Sequence, residues 1–267
     1  MYIFLKNSVL LVLFFTVSST AVAQSEEASS EESSVHLGKH LLELGYTSVD
    51  GFDGDILVFA PSYTYSSSPN LRFSAGFEIL MLDPIEVDGE DNADVDGLGD
   101  TYLSIQYDPK ANLTSSPWIP DTLGLFAEFS LPTGDAEEGL GGGSWGVSAG
   151  FGWPLPVSKN FLDLPIVAYT RTVHHGNFAI PIDELGVGFS LIWNSPFGAW
   201  FAIEPFVAWD FEVDETVNTT TIAIGKSFPN GLGVDLHWGQ RSRFESLADR
   251  SDDVLIITLN WQFGSPP

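Results

Sequence analysis

The stretch Asp252 to Phe263, DDVLIITLNWQF, decides the fold. Counting back from Phe263 in steps of two gives Trp261, Leu259, Ile257 and Leu255, while the alternate positions are Gln262, Asn260, Thr258 and Ile256. A period of two with one oily face and one mostly polar face is a β-strand. In a soluble sandwich the oily face turns inward. A late strand ending on an aromatic, in a chain that opens with a secretion signal, points the other way. It fits the closing strand of an outer-membrane barrel, with Trp261 and Phe263 in an aromatic girdle at the periplasmic interface.

The secretion signal is read over residues 1–23, where Lys6 precedes the apolar run Val9 to Val17 and Ala21-Val22-Ala23 offers a small-residue cleavage site. The chain has no cysteine, which excludes disulfides, thiolate chemistry and a lipid-anchored cysteine. It carries 36 acids against 10 bases; setting Lys6 aside with the leader leaves 9 bases and a net charge of −27. That balance excludes nucleic acid as a partner and docking on anionic surfaces through a basic patch. Beyond Gln24 no run approaches the roughly 18 apolar residues of a spanning helix; the best, Pro196 to Trp209, is cut by Glu204 and Pro205. A chain of this kind crosses a membrane only as a closed barrel, which satisfies every backbone polar group internally.

Residues 24–36 include the acidic, aperiodic SEEASSEESS and are expected to be disordered. Twelve period-two stretches follow, at about 37–48, 55–66, 70–82, 98–108, 121–131, 144–153, 163–173, 184–194, 198–211, 217–228, 231–241 and 252–263. The predicted fold is therefore all-β, a closed antiparallel up-and-down transmembrane β-barrel of about 12 strands over residues 37–263, with 264–267 as a tail. Oily faces are plain in most stretches, as in Leu71, Phe73, Ala75, Phe77, Ile79 and Met81, or in Leu185, Val187, Phe189, Leu191 and Trp193. Stretches one, seven and ten are less clean. Ser66 to Asn70, Asn194 to Gly198 and Phe228 to Gly231 read as short periplasmic turns, each with Pro beside Asn, Ser or Gly. Asp83 to Gly97, Pro132 to Gly143, Val173 to Asp183 and Arg241 to Ser251 read as outward loops, and Asp108 to Pro120 is long for a periplasmic turn.

Two motifs carry a family likeness. GLGDTYLSIQY (Gly97 to Tyr107) and FSLPTGDAEEGLGGGSWGVSAG (Phe129 to Gly150) resemble the outer-membrane barrel family named after the meta-pathway of phenol degradation. Its members show a Gly-x-Gly-Asp strand opening, then a Leu-Pro-Thr-Gly-Asp strand end and a Gly-rich return. The resemblance implies a transporter often found near the degradation of aromatic compounds. The GSPP tail after Phe263 departs from the family, whose assembly signal sits at the C-terminus. Physically the motifs read as architecture: Gly97 and Gly99 admit a turn into a strand, Pro132 ends one, and Asp100 and Asp135 hold loops at outer strand ends.

Strand parity gives the expected pore lining. Arg72, Glu78, Asp100, Glu128, Glu204, Asp210, Lys226 and His237 turn inward as charged or titratable groups, with Tyr102, Phe126, Trp200 and Phe206 as aromatics among them. The bland account of such charges is an ion-paired, hydrated wall. Aromatic faces beside lone charges suit a small, partly apolar solute better than a sugar or a simple ion, an aromatic acid or hydrocarbon being the candidates. Asn92 to Gly97 has the alternation of a calcium loop, but Leu103 stands where the closing Glu belongs, so a solvated acidic loop is the expectation. Thr172, His174, His175 and Ser190 are not read as a hydrolase set, since a pair of loop histidines, in a chain with five histidines in all, is more often incidental than catalytic. The sequence thus predicts a bacterial outer-membrane channel or uptake barrel for passive diffusion of small molecules, without enzymatic activity or cofactor. Outer-membrane lipid, lipopolysaccharide and the barrel assembly machinery are its expected partners. The alternatives are a non-transporting structural or surface-interaction barrel and, behind it, a barrel hydrolase.

Overall fold

A computed structural model describes residues 39–51, 54–68, 70–84, 95–108, 124–134, 144–152, 155–158, 161–174, 183–211, 214–244 and 250–264. The expected leader and the acidic segment lie outside these residues. Every regular element among them is a strand, in the order β1 His40–Gly51, β2 Gly54–Ser68, β3 Leu71–Pro84, β4 Val95–Tyr107, β5 Gly124–Leu131, β6 Ser144–Gly152 and β7 Leu155–Ser158. There follow β8 Phe161–His174, β9 Asp183–Asn194, β10 Ala199–Asp210, β11 Glu215–Ser227, β12 Leu232–Phe244 and β13 Arg250–Phe263. No described helix is long and apolar enough to cross a membrane.

Each strand runs antiparallel to its neighbours in one sheet, ordered β6-β5-β4-β3-β2-β1-β13-β12-β11-β10-β9-β8-β7. Sequence neighbours are sheet neighbours, the up-and-down arrangement. The pairing of β1 with β13, from His40↔Phe263 to Asp50↔Asp253, joins remote parts of the chain, and β6 also pairs with β8 past the short β7, from Ser144↔His174 to Gly152↔Ile166. The short β7 has no counterpart in the sequence reading. Its pairing Leu155↔Asp163 continues the register of Gly152↔Ile166, so β6 and β7 occupy one ladder position.

Strands also reach further than their hydrophobic patterns suggest. Asp96 and Gly97, read as loop, belong to β4 opposite Met81 and Leu80, and Arg241 to Phe244 extend β12. Nor do Gly97 and Gly99 turn the chain into β4, since both lie within it. Between the pairs Ile79↔Leu98 and Phe77↔Thr101, Gly99 and Asp100 together oppose Glu78, which makes a β-bulge. A Cβ on Gly99 would stand 2.9 Å from Leu80 Cδ1 and 3.0 Å from Glu78 Cβ, which is why the bulge takes glycine there.

The short turns form as their residues dictate. Ser195 N–H donates to Ala199 O at 2.8 Å and Phe228 N–H to Leu232 O at 2.8 Å, with Gly198 at φ 73° and Gly231 at φ 82°. Both glycines are in the left-handed region that side chains disfavour. Each turn also accepts from the next hairpin, Ser227 N–H to Gly198 O at 2.9 Å and Gln262 N–H to Gly231 O at 2.8 Å, so this end of the sheet is laced together. Alanine at Gly231 meets both penalties, a left-handed backbone and the Gln262 carbonyl oxygen. Gly231→Ala is expected to lower stability by at least the ~1–2 kcal/mol of the backbone term, read as an earlier midpoint in urea unfolding.

Candidate functional site

The two faces of the sheet have opposite chemistry, and the polarity is inverted relative to a soluble protein. Phe73, Phe129, Phe189 and Trp261 are 43%, 48%, 47% and 46% exposed, while Glu204, Asp210 and His237 are 3%, 1% and 2% exposed. In β9 and β10 the alternation is nearly strict, with Leu185, Val187, Phe189, Phe201, Ile203 and Val207 outward and Glu184, Ser190, Ala202, Glu204 and Ala208 inward. Soluble domains do not leave such a ring of large apolar side chains in water.

Four inward aromatics share one packing rule. Tyr102 lies in register with Gly76, Phe126 with Gly150, Trp200 with Gly225 and Phe206 with Gly188. The rings occupy the space that a glycine Cβ would fill: Tyr102 over Gly76, Trp200 over Gly225, and Phe206 over Gly186 and Gly188. Glycine inside a strand marks such a close approach, so these rings lie against the wall.

The inward polar groups are held by short bonds. Ser190 Oγ donates to Glu204 Oε1 at 2.6 Å, Asn260 Nδ2 donates to Asp235 Oδ2 at 2.8 Å, and the Trp200 indole also bonds Asp235. Ser62 Oγ donates to Glu43 Oε2 at 3.3 Å. Arg72 pairs with Asp108 at 2.5 Å at the turn end, where Gln106 Nε2 joins the same carboxylate at 3.3 Å. Asp100 Oδ1 accepts Gly134 N–H at 3.2 Å, and Thr133 Oγ1 bonds Gly99 O at 3.3 Å and Thr101 Oγ1 at 2.9 Å. The bulge of β4 thereby holds the Pro-Thr-Gly segment that leaves β5; Asp135 lies outside the described residues.

Of the residues singled out from sequence, Arg72, Glu78, Asp100, Tyr102, Phe126 and Glu128 share the inward face of β3 to β5. Trp200, Glu204, Phe206, Asp210 and His237 share that of β10 and β12. Lys226 is a correction. It stands opposite Ala199 and Val234 and shares its face with Ile222 and Ile224, so it is outward. Sequence reasoning missed Glu43, Glu184 and Asp235, all inward. Asp235 has the parity of His237 and was open to the same argument.

The calcium-loop reading loses Asp96, which is a strand residue on the exposed face opposite Met81, while Asn92 and Asp94 lie outside the described residues. Ser190 serves Glu204 and pairs in the ladder with Leu164, ten residues along β8 from His174, or about 30 Å at the rise of a strand. His174 therefore does not activate Ser190.

No family model and no curated protein matches the sequence. Solved structures do match. A NanC porin superposes with TM-score 0.54 at 10% identity, over 83% of this chain and 100% of that one. The translocator domain of autotransporter NalP from Neisseria meningitidis gives 0.53 at 11% identity, over 98% and 99%. A KdgM porin in complex with disordered oligogalacturonate gives 0.50 at 8% identity, over 84% and 99%. The fold is porin-like. Identities this low speak for the fold alone.

Proposed function

We propose that the protein is an outer-membrane channel or uptake barrel for passive diffusion of small, partly apolar molecules. The observation that carries this reading is the inverted polarity: apolar side chains exposed on the outer face, carboxylates and hydroxyls buried on the inner one. In a bilayer the first belongs against hydrocarbon and the second against a wet lumen. The β1–β13 and β6–β8 ladders support a sheet that closes on itself as a twelve-strand barrel, with β6 and β7 counted as one strand. A barrel of that size lies between those filled by side chains and those with open channels. Rings lying against the wall at Tyr102, Trp200 and Phe206 give the inner face apolar surface. Membership of the phenol meta-pathway family fits the way its two motifs meet at Asp100 and Gly134.

Reconstitution in planar bilayers is expected to give discrete conductance steps; a silent, correctly folded protein sinks the proposal. In proteoliposomes, Trp200→Ala and Phe206→Ala are each expected to slow entry of an aromatic hydrocarbon about 2- to 10-fold, the equivalent of ~0.5–1.5 kcal/mol of ring contact. Unchanged flux in both counts against aromatic solutes.

A further inference from the structure

We propose that the turn-side half of the inward face holds a recognition station for a small organic cation, an aromatic ammonium above all, built from Trp200, Asp235 and His237 with Glu43 as a second carboxylate. The inference deepens the channel reading and rests on it for the solute's route.

Three strands make the station. Trp200 of β10, Gly225 of β11 and Asp235 of β12 stand in one row across the sheet. Because Gly225 has no side chain, the indole and the Asp235 carboxylate meet over it; both occupy the place of its Cβ. Asn260 fixes the other carboxylate oxygen at 2.8 Å. Glu43, in register with Asn260 on β1, brings the second carboxylate beside them.

His237, two residues along β12 from Asp235, is 2% exposed and packs edge-on at 5.9 Å from Trp200. Among the described residues its Nδ1 has no hydrogen-bond partner. A buried ring nitrogen of this kind, beside the Trp200 π-face and two residues from the Asp235 carboxylate, is a site short of one polar group.

Charge decides which group. The described cations are placed elsewhere: Arg72 is committed to Asp108, Lys226 lies on the outer face, and Lys39 Nζ stands over the Tyr65 ring at 5.1 Å. Arg241 and Arg243 sit in the ladder opposite Thr219 and Val217, at the far end of β12. An ammonium offsets the mutual repulsion of the carboxylates and gains the indole face, an attraction that strengthens with desolvation. A carboxylate such as benzoate meets repulsion instead.

Calorimetry on the mature protein refolded in detergent, with benzylammonium chloride and sodium benzoate as probes, tests this. Benzylammonium is expected to bind, Asp235→Asn to weaken it at least 10-fold, Glu43→Gln to weaken it less, and benzoate to give no heat. Equal binding of benzoate, or Asp235→Asn matching wild type, overturns the inference. Heat-modifiable gel migration checks folding of each variant, and Trp200→Leu with Glu43→Gln carries the test if Asp235→Asn does not fold. The same preparations go into planar bilayers: conductance without benzylammonium binding removes the station and leaves the channel, whereas binding without conductance removes the channel and leaves the station.

Discussion

Arginine in place of Phe189 is expected to cost the protein about 2–4 kcal/mol of stability in lipid vesicles, the penalty of a cation at the bilayer midplane. Phe189 stands mid-strand in β9, 47% exposed, with Val187 and Leu191 on the same face. In a water-soluble protein the same exchange at an exposed site stays within roughly 0.5 kcal/mol. The penalty should also depend on depth. Phe197, 80% exposed in the turn before β10, lies where the interface would be, and Phe197→Arg is expected to cost only about 0–1 kcal/mol. Equilibrium unfolding in guanidinium, followed by tryptophan fluorescence, reads both. Equal stabilities for the wild type and Phe189→Arg would place the aromatic face in water and end the barrel interpretation.

The second large effect concerns the glycines beneath Phe206. A Cβ at Gly188 would stand 2.6 Å from the Pro205 carbonyl oxygen and 2.7 Å from Phe206 Cδ2, whereas one at Gly186 meets the far end of the Phe206 ring and Ala208 Cβ at 3.0 Å. Backbone cannot step aside, but a ring can. Gly188→Ala is therefore expected to destabilise by about 1–3 kcal/mol, and Gly186→Ala by less. Adding Phe206→Ala should relieve Gly186→Ala with a coupling of roughly 1 kcal/mol and leave most of the Gly188→Ala cost in place. Equal coupling at both positions in such double-mutant cycles contradicts the packing described here.

The outer face was legible in the sequence because it must be apolar at every second position along a whole strand, as in Leu185 to Trp193. The inner face follows no such demand. β1 read poorly because Leu41 and Val49 pack inside while Leu42, Leu44 and Tyr46 face out, so both parities look oily. β11 read poorly for the opposite reason: Asn218 to Thr221 is polar on both faces. Lys226 went to the wrong side because a strand polar on both faces hides its parity, which is that of Ile222 and Ile224. At the strand end, however, a long side chain can leave the apolar band and seek polar atoms, and Lys226 Nζ reaches Phe197 O at 3.2 Å. The pairing of each inward ring with a glycine could not be seen at all from single strands. It exists only in the register between neighbours, as does the meeting of Trp200 and Asp235 across Gly225. The β4 bulge was hidden similarly, since Gly99 and Asp100 count as two residues along the chain but as one step across the sheet.

The ladder from His40↔Phe263 to Asp50↔Asp253 has a consequence for biogenesis. Its two strands are separated by almost the whole described chain, so the first strand waits, with one flank unmatched, until the last has been synthesised. Bringing such remote segments together is slow, and until then both flanks are adhesive to any extended peptide. A polypeptide truncated before Arg250 is expected to keep the flank of β1 open and to aggregate where the full chain does not.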